Sequence, residues 1–486
     1  MKMLSVAMNA LLNLIQVLMN LLWGDLIVLP LPGGGQIGLS LLVMILIPAG
    51  IYFTVRTRFV QIRCLPEMVR VTLEKKTGHK ESALSGMQAL FVSTATRVGM
   101  GNMVGVVAAI SVGGAGAVFW MWLMAIIGAA TAFAEATLAQ IYHEEDPLYG
   151  GFRGGPAYYM HKFFCKNKQR KHHPLAVAFA LSGLLCWCGI SQVISNSVSS
   201  SFYNAFHIPP IVTTVTLVAL AAFIVLRKNT TVKVLDVMVP IMAGTYFVLT
   251  LVIIVMNLDL IPSVMTRIFQ EAFGLRQVVA GGFGAALMQG VQRGLFSNEA
   301  GSGSAPCAAA AAKVSHPAKA GLVQAFGVFI DTLVICTCTA MIMLLAPQEM
   351  LEGLSGMALL QTAMFHHFGQ IGVVFTALVL WLFSFSTFIG ILFYARSNVA
   401  YLFGDNWMSQ TVYKLVALAM LFIGGLAAYT FVWDIGDIGV GLMTVFNMIA
   451  LIPMSSQAIA ALKDYEALKK KEAPSKVSAS TESTPA

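Results

Sequence analysis

Two long stretches of this chain, residues 174–226 and 369–395, contain almost no charged side chain. A helix that crosses a lipid bilayer needs about 20 predominantly apolar residues, and the sequence supplies such a stretch many times. Only 11% of the 486 residues are charged, whereas a soluble domain carries roughly 25%. The pattern predicts an all-α polytopic membrane protein with one large membrane domain.

Eleven spanning helices are predicted, at 37–58, 86–112, 116–143, 174–202, 208–226, 232–256, 278–312, 316–346, 369–395, 410–430 and 434–460. Another apolar helix, at 4–23, is long enough either to cross the bilayer or to lie on its surface. With the Pro- and Gly-rich loop after it, this helix forms an N-terminal region, 1–36. The membrane domain is then 37–460, and the polar segment 461–486 is predicted to be a disordered cytoplasmic tail.

The positive charge of the chain, formally +8, indicates topology and not a nucleic-acid partner. Lys and Arg cluster in alternate loops, of which 56–80 and 143–173 are the richest. The loops between them are poor in both residues: 113–116, 203–207, 347–368 and 431–437. Because basic loops stay on the cytoplasmic side, we expect a multi-pass inner-membrane protein with a cytoplasmic C-terminus.

The ten helices from residue 86 onward would start and end on the cytoplasmic side. Two five-helix repeats of opposite orientation, about 84–257 and about 277–460, produce this arrangement in many transporters. The repeats would pair helix 86–112 with helix 278–312. Both helices are unusually rich in glycine, and both are longer than a single span requires. The sequence therefore predicts the substrate site where these two helices are interrupted.

The first interruption is predicted in ATRVGMGNMVG (95–105), about fourteen residues into its helix and so near the bilayer midplane. Glycine weakens a helix by roughly 1 kcal/mol relative to alanine. An opened helix would offer N–H groups to a carboxylate and carbonyl groups to a cation. Close packing of small residues is the structural alternative. The predicted substrate-binding residues here are Gly99, Met100, Gly101 and Asn102.

The second interruption is predicted in GVQRGLFSNEAGSGSAP (290–306), where Gly, Ser and Pro favour irregular backbone. The pattern Arg293-x-x-x-x-Asn298 repeats Arg97-x-x-x-x-Asn102 of the first helix. Arg293 is costly inside a membrane unless it is paired or near water. It is expected either to pair with Glu299 or Asp331, or to act in gating. The predicted substrate-binding residues here are Gly294, Phe296, Ser297 and Asn298.

Two polar clusters interrupt other apolar helices. In FSFST (383–387), Ser386 and Thr387 could supply two oxygen ligands to a small hard cation, although such hydroxyls more often bond the carbonyl of the preceding turn. In SQVISNSVSSS (191–201), Gln192 could reach the polar groups of a substrate, or it could form a hydrogen bond between helices. Both alternatives stay open at this stage.

The runs GNMVGVVAAISVGGAGAVFWMWLMAIIGAATAFAEATLAQIY, RGLFSNEAGSGSAP and YFTVRTRFVQ closely resemble the prokaryotic alanine or glycine:cation symporter family. The resemblance covers about residues 24–460. It implies a leucine-transporter-like core of inverted five-helix repeats with one extra N-terminal helix. It also implies uptake of alanine, glycine or a related neutral amino acid with Na⁺, or sometimes H⁺. The sodium site that it implies consists of backbone near Ala95 and Val98 together with Phe383, Ser386 and Thr387, while Gly99–Asn102 would hold the substrate carboxylate.

This chain departs from the common family pattern at two places. Met100 stands where many members have Thr, and Ile391, in GILFYARS (390–397), stands where many have Trp. If that Trp closes the pocket, Ile391 leaves more room, so a mid-sized neutral amino acid such as glutamine is an alternative to alanine. Ile391 is therefore included among the predicted substrate-binding residues.

Other classes of function have little support in the sequence. A membrane enzyme would need clustered carboxylates or histidines, and the pairs at 172–173 and 366–367 have no such neighbours in sequence. A passive channel would not require two interrupted, repeat-related helices. We expect no catalytic residues and no cofactor, with Na⁺ as the coupling ion. The sequence does not specify an oligomeric state.

Overall fold

The protein is almost entirely helical. The computed structural model describes residues 2–30, 36–74, 97–165, 171–227, 231–275 and 282–472.

The N-terminal region contains more regular structure than the predicted helix and loop. Strands β1 and β2 form an antiparallel hairpin in which Ile27 lies opposite Leu39, where the sequence predicted only a loop. In chain order, the elements are α1 Lys2–Trp23, β1 Ile27–Pro30, β2 Gln36–Leu39, α2 Leu41–Arg56, α3 Val60–Arg63 and α4 Leu65–Thr72.

The helices of the predicted first repeat come next. They are a π-helical turn Gly101–Gly105, α5 Val106–Gly113, α6 Gly116–Ile141, α7 Pro156–Phe164, α8 Pro174–Phe206, α9 Pro210–Val225 and α10 Thr231–Met256, with a short hairpin of β3 Glu144–Glu145 and β4 Phe152–Arg153 after α6. A 3₁₀ turn, Leu258–Leu260, and the amphipathic α11, Ile261–Ala272, connect them to the second half.

The second half repeats the pattern of long helices around one interrupted helix. Its elements are α12 Gly282–Asn298, α13 Pro306–Ala311, α14 Pro317–Val328, a π-helical stretch Phe329–Cys336, α15 Thr337–Leu344, a 3₁₀ turn Gln348–Met350, α16 Met357–Phe368, α17 Gln370–Phe403, α18 Trp407–Gly424 and α19 Tyr429–Glu472. The segments α14, Phe329–Cys336 and α15 run on as one continuous helix.

Seven helices in the described residues are long and apolar enough to cross a membrane. Four of the eleven predicted spans are not among these seven helices, because in the described residues they are too short or are divided. Helices α2 and α9 have 16 residues each, which is slightly below the length of an untilted span. The predicted helix 278–312 is divided into α12 and α13, and much of the predicted helix 86–112 lies outside the described residues.

Helix α8 lies in the centre of the bundle, where it packs along α19, α17 and α18. Glycine permits two of these contacts. A Cβ atom on Gly439 would lie 2.3 Å from the Cα atom of Cys186, and one on Gly424 would lie 2.2 Å from the Cα atom of Gln192. Backbones that approach this closely are typical of small-residue packing between membrane helices. The packing fixes α8 against the second half of the chain.

The predicted disordered tail begins later than expected. Helix α19 continues to Glu472, so the prediction of disorder from residue 461 is wrong for residues 461–472, and residues 473–486 lie outside the described part. Tyr465 is buried, and both Tyr465 and Lys469 bond the carboxylate of Glu67 on α4. Burial would raise the pKa of Glu67, but these bonds and those from Arg70 outweigh it and lower the pKa to about 2. These contacts hold the end of α19 in helical form.

Candidate substrate and cation site

The first predicted interruption is present at Val98 and Gly99. In the described residues, Arg97 is helical, Val98 and Gly99 are not, and helical structure is present again from Met100, with a π-helical turn that begins at Gly101. The backbone N–H of Gly99 donates to the side-chain oxygen of Asn102 at 2.8 Å and to the carbonyl oxygen of Arg97 at 2.9 Å. The carbonyl oxygen of Arg97 and the side-chain oxygen of Asn102 together satisfy this buried donor.

The second predicted interruption follows α12. The helix is continuous through Gly294 and ends at Asn298, and residues 299–305 are irregular before α13 begins. Glu299, Gly301 and Gly303 have positive φ angles of 56°, 97° and 84°. Glycine adopts this left-handed region readily, which explains why a Gly-Ser-Gly sequence serves here.

The two interrupted helices touch each other. A Cβ atom built on Gly101 would lie 3.5 Å from the Cα atom of Ser297 and 3.6 Å from the ring of Phe296. Phe296 and Ser297 belong to the last turn of α12. The structure therefore brings together substrate-binding residues that were predicted from two distant parts of the sequence.

Asp331, in the π-helical stretch after α14, connects both interruptions. Its carboxylate accepts hydrogen bonds from Asn102 Nδ2 at 2.7 Å and from Ser297 Oγ at 3.0 Å and 3.2 Å. Thr332 Oγ1 also donates to the carboxylate, at 2.7 Å, and itself accepts from Asn298 Nδ2 at 3.2 Å. All five side chains are buried. Asn102 and Asn298, the matching residues of the two repeated patterns, thus bond adjacent residues of one helix.

Glu135 of α6 supports the second interruption. Its carboxylate accepts a hydrogen bond of 3.1 Å from the backbone N–H of Gly301 and another from the side chain of Asn447 on α19. Asn447 also donates to the carbonyl oxygen of Gly301 at 3.0 Å. Glu135 therefore supplies an acceptor to backbone that has left the helix, which is a structural role.

Three of the predicted sodium residues, Phe383, Ser386 and Thr387, lie on α17 beside the first interruption. Thr387 Oγ1 accepts a hydrogen bond of 3.2 Å from the backbone N–H of Met100. Ser386 and Thr387 donate to the carbonyl oxygen of Phe383 at 2.9 Å and 2.8 Å, as expected for hydroxyls in a membrane helix. Val98 is fully buried, while Ala95 lies outside the described residues. The hydroxyl pair and the interrupted backbone thus adjoin one another.

Arg293 has a different partner from the two that the sequence suggested. Its guanidinium forms a two-pronged pair with Asp437 of α19, with both contacts at 3.0 Å. The guanidinium carbon also lies 4.2 Å from the ring centre of Trp433, whose ring is 4.9 Å from that of Phe296. The expected pairing with Glu299 or Asp331 is therefore corrected to Asp437. An arginine that stacks and pairs in this way is stabilised despite its burial.

The remaining predicted residues lie around this centre. Gln192 of α8 donates to the sulfur of Met420 on α18 at 3.5 Å, and its described contacts do not include the interrupted segments. Gly294 faces α6, where a Cβ atom would meet Met124 at 3.5 Å. Ile391 is buried one helical turn beyond Thr387, on the same face of α17. Their roles in substrate binding stay predictions.

Sequence reasoning missed several members of this centre. Thr332 and Cys336 complete the contacts around Asp331: the sulfur of Cys336 is 3.1 Å from Ser297 Oγ and 3.2 Å from Asn102 Nδ2. Asp437 was placed in a loop poor in Lys and Arg and received no role. The available signal was the presence of carboxylates in otherwise apolar helices, since such groups rarely occur in a membrane without a partner.

Two interrupted helices from opposite halves of a membrane bundle, with polar groups gathered at the interruptions, define a secondary transporter. The chain belongs to the sodium:alanine symporter family, whose sequence profile matches residues 34–479. It is a sodium-coupled amino-acid symporter with several membrane-spanning helices, and it is not an enzyme.

Individual relatives agree with this assignment. A probable sodium/glutamine symporter, GlnT of Bacillus subtilis, is 44% identical over 433 residues, which cover 89% of both proteins. The sodium/alanine symporter AgcS of Methanococcus maripaludis is 35% identical over 437 residues, or 89% of this chain and 95% of AgcS.

A solved structure supports the fold. The crystal structure of MhsT in complex with L-phenylalanine matches with a TM-score of 0.58 at 14% sequence identity, covering 79% of this chain and 93% of MhsT. This likeness shows the fold alone. It confirms the predicted leucine-transporter-like architecture.

Proposed function

We propose that this protein imports a small neutral amino acid, alanine or glycine, together with Na⁺ across the inner membrane. The observation that carries the proposal is the hydrogen bond from Met100 N–H to Thr387 Oγ1. It joins the first interruption to the only adjacent Ser-Thr pair of α17. Hydroxyl and carbonyl oxygens are ligands of hard cations, so an ion bound here would stabilise one arrangement of the two helices.

The substrate carboxylate would lie against the glycines of the first interruption. Gly99 and Gly101 flank Met100 and lack the side chains that would keep a ligand from the backbone. The N–H groups at the start of the following half-helix favour an anion. The contact of Gly101 with Phe296 and Ser297 would place the second interruption beside the same ligand. Na⁺ and substrate would thus bind on two sides of one short segment.

A larger neutral substrate such as glutamine is the second candidate. It is favoured by Ile391, which is buried one turn from Thr387 where many family members have the bulkier Trp. The relative named as a probable sodium/glutamine symporter supports the same idea. Met100 can fill part of the extra space because its side chain is flexible.

Access to the site would be controlled by the pair of Arg293 and Asp437. Asp437 lies near the start of α19, which the topology prediction assigns to the outer side. The pair is buried, and Trp433 fills the space between Arg293 and Phe296. We expect this cluster to close the outer pathway and to separate when the transporter opens outward.

Transport assays in proteoliposomes test the proposal directly. Labelled alanine, glycine and glutamine are offered in turn under an imposed Na⁺, Li⁺ or H⁺ gradient. Saturable uptake of alanine or glycine that depends on the Na⁺ gradient is expected. Uptake that a proton gradient drives as well without Na⁺ would replace Na⁺ by H⁺ as the coupling ion. Flux that neither saturates nor responds to a gradient would indicate a channel and would refute the proposal.

A further inference from the structure

The chain turns sharply at Arg58 and Phe59, within the motif YFTVRTRFVQ (52–61). Both residues have positive φ angles, 54° and 57°, and bulky side chains rarely adopt this left-handed conformation. The backbone N–H of Phe59 donates to Thr54 O at 2.8 Å, and Gln61 Nε2 donates to Thr54 Oγ1 at 2.8 Å. Strain of this kind persists only where surrounding contacts fix it. The turn therefore directs the chain from α2 into α3 and α4 along one defined path.

The segment after the turn exposes five apolar side chains, which we call the apolar row. Leu65, Val69 and Leu73 follow one another at intervals of four residues, which places them on one face of α4 and its C-terminal cap. Phe59 and Ile62 precede them at the turn and on α3, and the exposed fractions of the five side chains lie between 39% and 64%. The other face of α4 is buried, and α4 packs against α14. Clustered apolar side chains that stay exposed indicate an interaction surface.

The position of the apolar row relative to the bilayer follows from α2. Ile51 and Val55 of this helix are 50% and 59% exposed, as expected for a predicted spanning helix whose outer side faces lipid. Helix α2 ends at Arg56, and Phe59 follows three residues later. The basic loop 56–80 was assigned to the cytoplasmic side. The apolar row thus begins where the chain leaves the membrane on its cytoplasmic side.

Exposed arginines border the apolar row: Arg56, Arg58, Arg63 and Arg70. Arg63 and Arg70 pair with carboxylates. Arg56 and Arg58 form no ion pair within the part of the chain that the structure describes. A guanidinium group can bind a phosphate through two N–H groups at once. The surface therefore combines apolar side chains with two uncompensated positive charges, which suits a phospholipid with a negatively charged headgroup.

Helix α4 is also bonded to two helices of the second half. Glu74, two residues after α4, accepts hydrogen bonds of 2.8 Å at both carboxylate oxygens from Lys319 Nζ of α14. Glu67 of α4 bonds the end of α19. Helix α14 continues into the π-helical stretch that carries Asp331, and α19 carries Asp437. A ligand that holds α4 at the membrane surface therefore positions both of these helices.

We propose that the apolar row and its arginines bind anionic phospholipid of the cytoplasmic leaflet, and that this binding supports transport by holding α4 in place. The apolar side chains enter the boundary between headgroups and acyl chains, while Arg56 and Arg58 bind the phosphates. A second copy of the chain fits this surface less well, because a symmetric contact brings arginines of the same sign together. The inference adds a lipid partner to the transport function and does not depend on the identity of the substrate or of the coupling ion.

Lipid binding to the full-length protein tests the inference. The purified protein is titrated with phosphatidylglycerol or phosphatidylcholine, and native mass spectrometry counts the bound lipids; the wild type should bind phosphatidylglycerol more tightly. Arg56→Gln/Arg58→Asn should lower that affinity about thirtyfold, since each basic residue near an anionic lipid contributes about fivefold, and should leave phosphatidylcholine binding unchanged. Asn is chosen at residue 58 because it tolerates the left-handed conformation. Lys171→Gln/Arg227→Gln is the matched control: it removes two exposed basic side chains from other cytoplasmic loops and should keep the wild-type affinity.

Na⁺-driven uptake in proteoliposomes is the second readout. Wild-type uptake should increase as phosphatidylglycerol replaces phosphatidylcholine, and uptake by Arg56→Gln/Arg58→Asn should not respond to this change. Ile62→Ser/Leu73→Ser is a second variant, in case the first does not reach the membrane. It removes two exposed members of the apolar row, so it should also weaken phosphatidylglycerol binding.

Each other outcome has a definite meaning. A preference for phosphatidylglycerol that survives in both variants, or that is lost equally in the control, would overturn the inference. Wild-type uptake that is equal in both lipids would overturn the role of the lipid in transport. Wild-type dimers that Ile62→Ser/Leu73→Ser abolishes, without any lipid preference, would assign the apolar row to a second copy of the chain and refute the inference. Wild-type protein that binds phosphatidylglycerol as expected but shows no Na⁺-dependent uptake in any lipid would instead refute the proposed function.

Discussion

The contact between the two interrupted helices can be tested by enlarging Gly101 in two steps. A Cβ atom at this position would lie 3.5 Å from Ser297 Cα, and 3.6 Å from both the ring and the carbonyl oxygen of Phe296. These are ordinary van der Waals distances, so Gly101→Ala fits without displacement of its neighbours. Gly101→Val adds two further methyl groups to the Cβ atom. We expect at least one of them to be too close to the backbone of α12.

The expected loss follows from the cost of overpacking. Extra carbon atoms in a well-packed interior cost about 1–3 kcal/mol. If this cost falls on the conformation in which the two interruptions meet, that conformation becomes about 5- to 150-fold rarer. Gly101→Val should therefore reduce Na⁺-driven uptake by about that factor, and Gly101→Ala should stay within about twofold of the wild type.

The assay is initial-rate uptake in proteoliposomes that contain equal amounts of each variant. Gly244→Val on α10 is the matched control, because a Cβ atom on Gly244 would have no neighbouring atom within 4 Å. Surface expression and the elution profile of each purified protein show whether the variant is folded. Gly101→Val protein that is folded and transports at nearly the wild-type rate would refute the reasoning, since the interruptions would not need to approach closely.

Three further predictions concern ions, substrate and topology. Replacing both hydroxyls, Ser386→Ala/Thr387→Ala, removes two oxygen ligands. The Na⁺ concentration for half-maximal uptake should rise at least about hundredfold, since each of the two bonds to a charged group contributes about 1.5–3 kcal/mol. An unchanged Na⁺ dependence would move the site away from α17. Ile391→Trp should reduce glutamine uptake by about ten- to two-hundredfold more than alanine uptake, as measured in competition assays. If the substitution reduces the uptake of both substrates equally, residue 391 does not line the pocket. A reporter after Lys471 should be cytoplasmic and one inserted within 350–356 periplasmic; the reverse result would contradict the inverted-repeat topology.

Much of the architecture follows from local sequence patterns. Apolar stretches must form helices in a membrane because backbone groups there have no water to bond, and this requirement places most of the helices. Glycine content located both interruptions, at 98–99 and at 299–305, because glycine weakens helices wherever it occurs. The FSFST segment was singled out because hydroxyls are unusual in an apolar helix. These predictions needed no knowledge of distant contacts.

Partners across the bundle could not be predicted in this way. The sequence offered Glu299 and Asp331 to Arg293, but packing of α12 against α19 brings Asp437 to it instead. The helical end of α19 beyond residue 460 depends on Glu67, about 400 residues earlier in the chain.

The sequence by itself thus determined the class of protein, the helices and the places where two of them break, since these depend on the polarity of neighbouring residues. Only the tertiary structure decided which groups meet at the breaks. Asn102, Ser297 and Asp331 come from three separate helices, and nothing local to any of them specifies the other two. A buried charge obtains its partner from the packing of whole helices, and that packing is a property of the complete bundle.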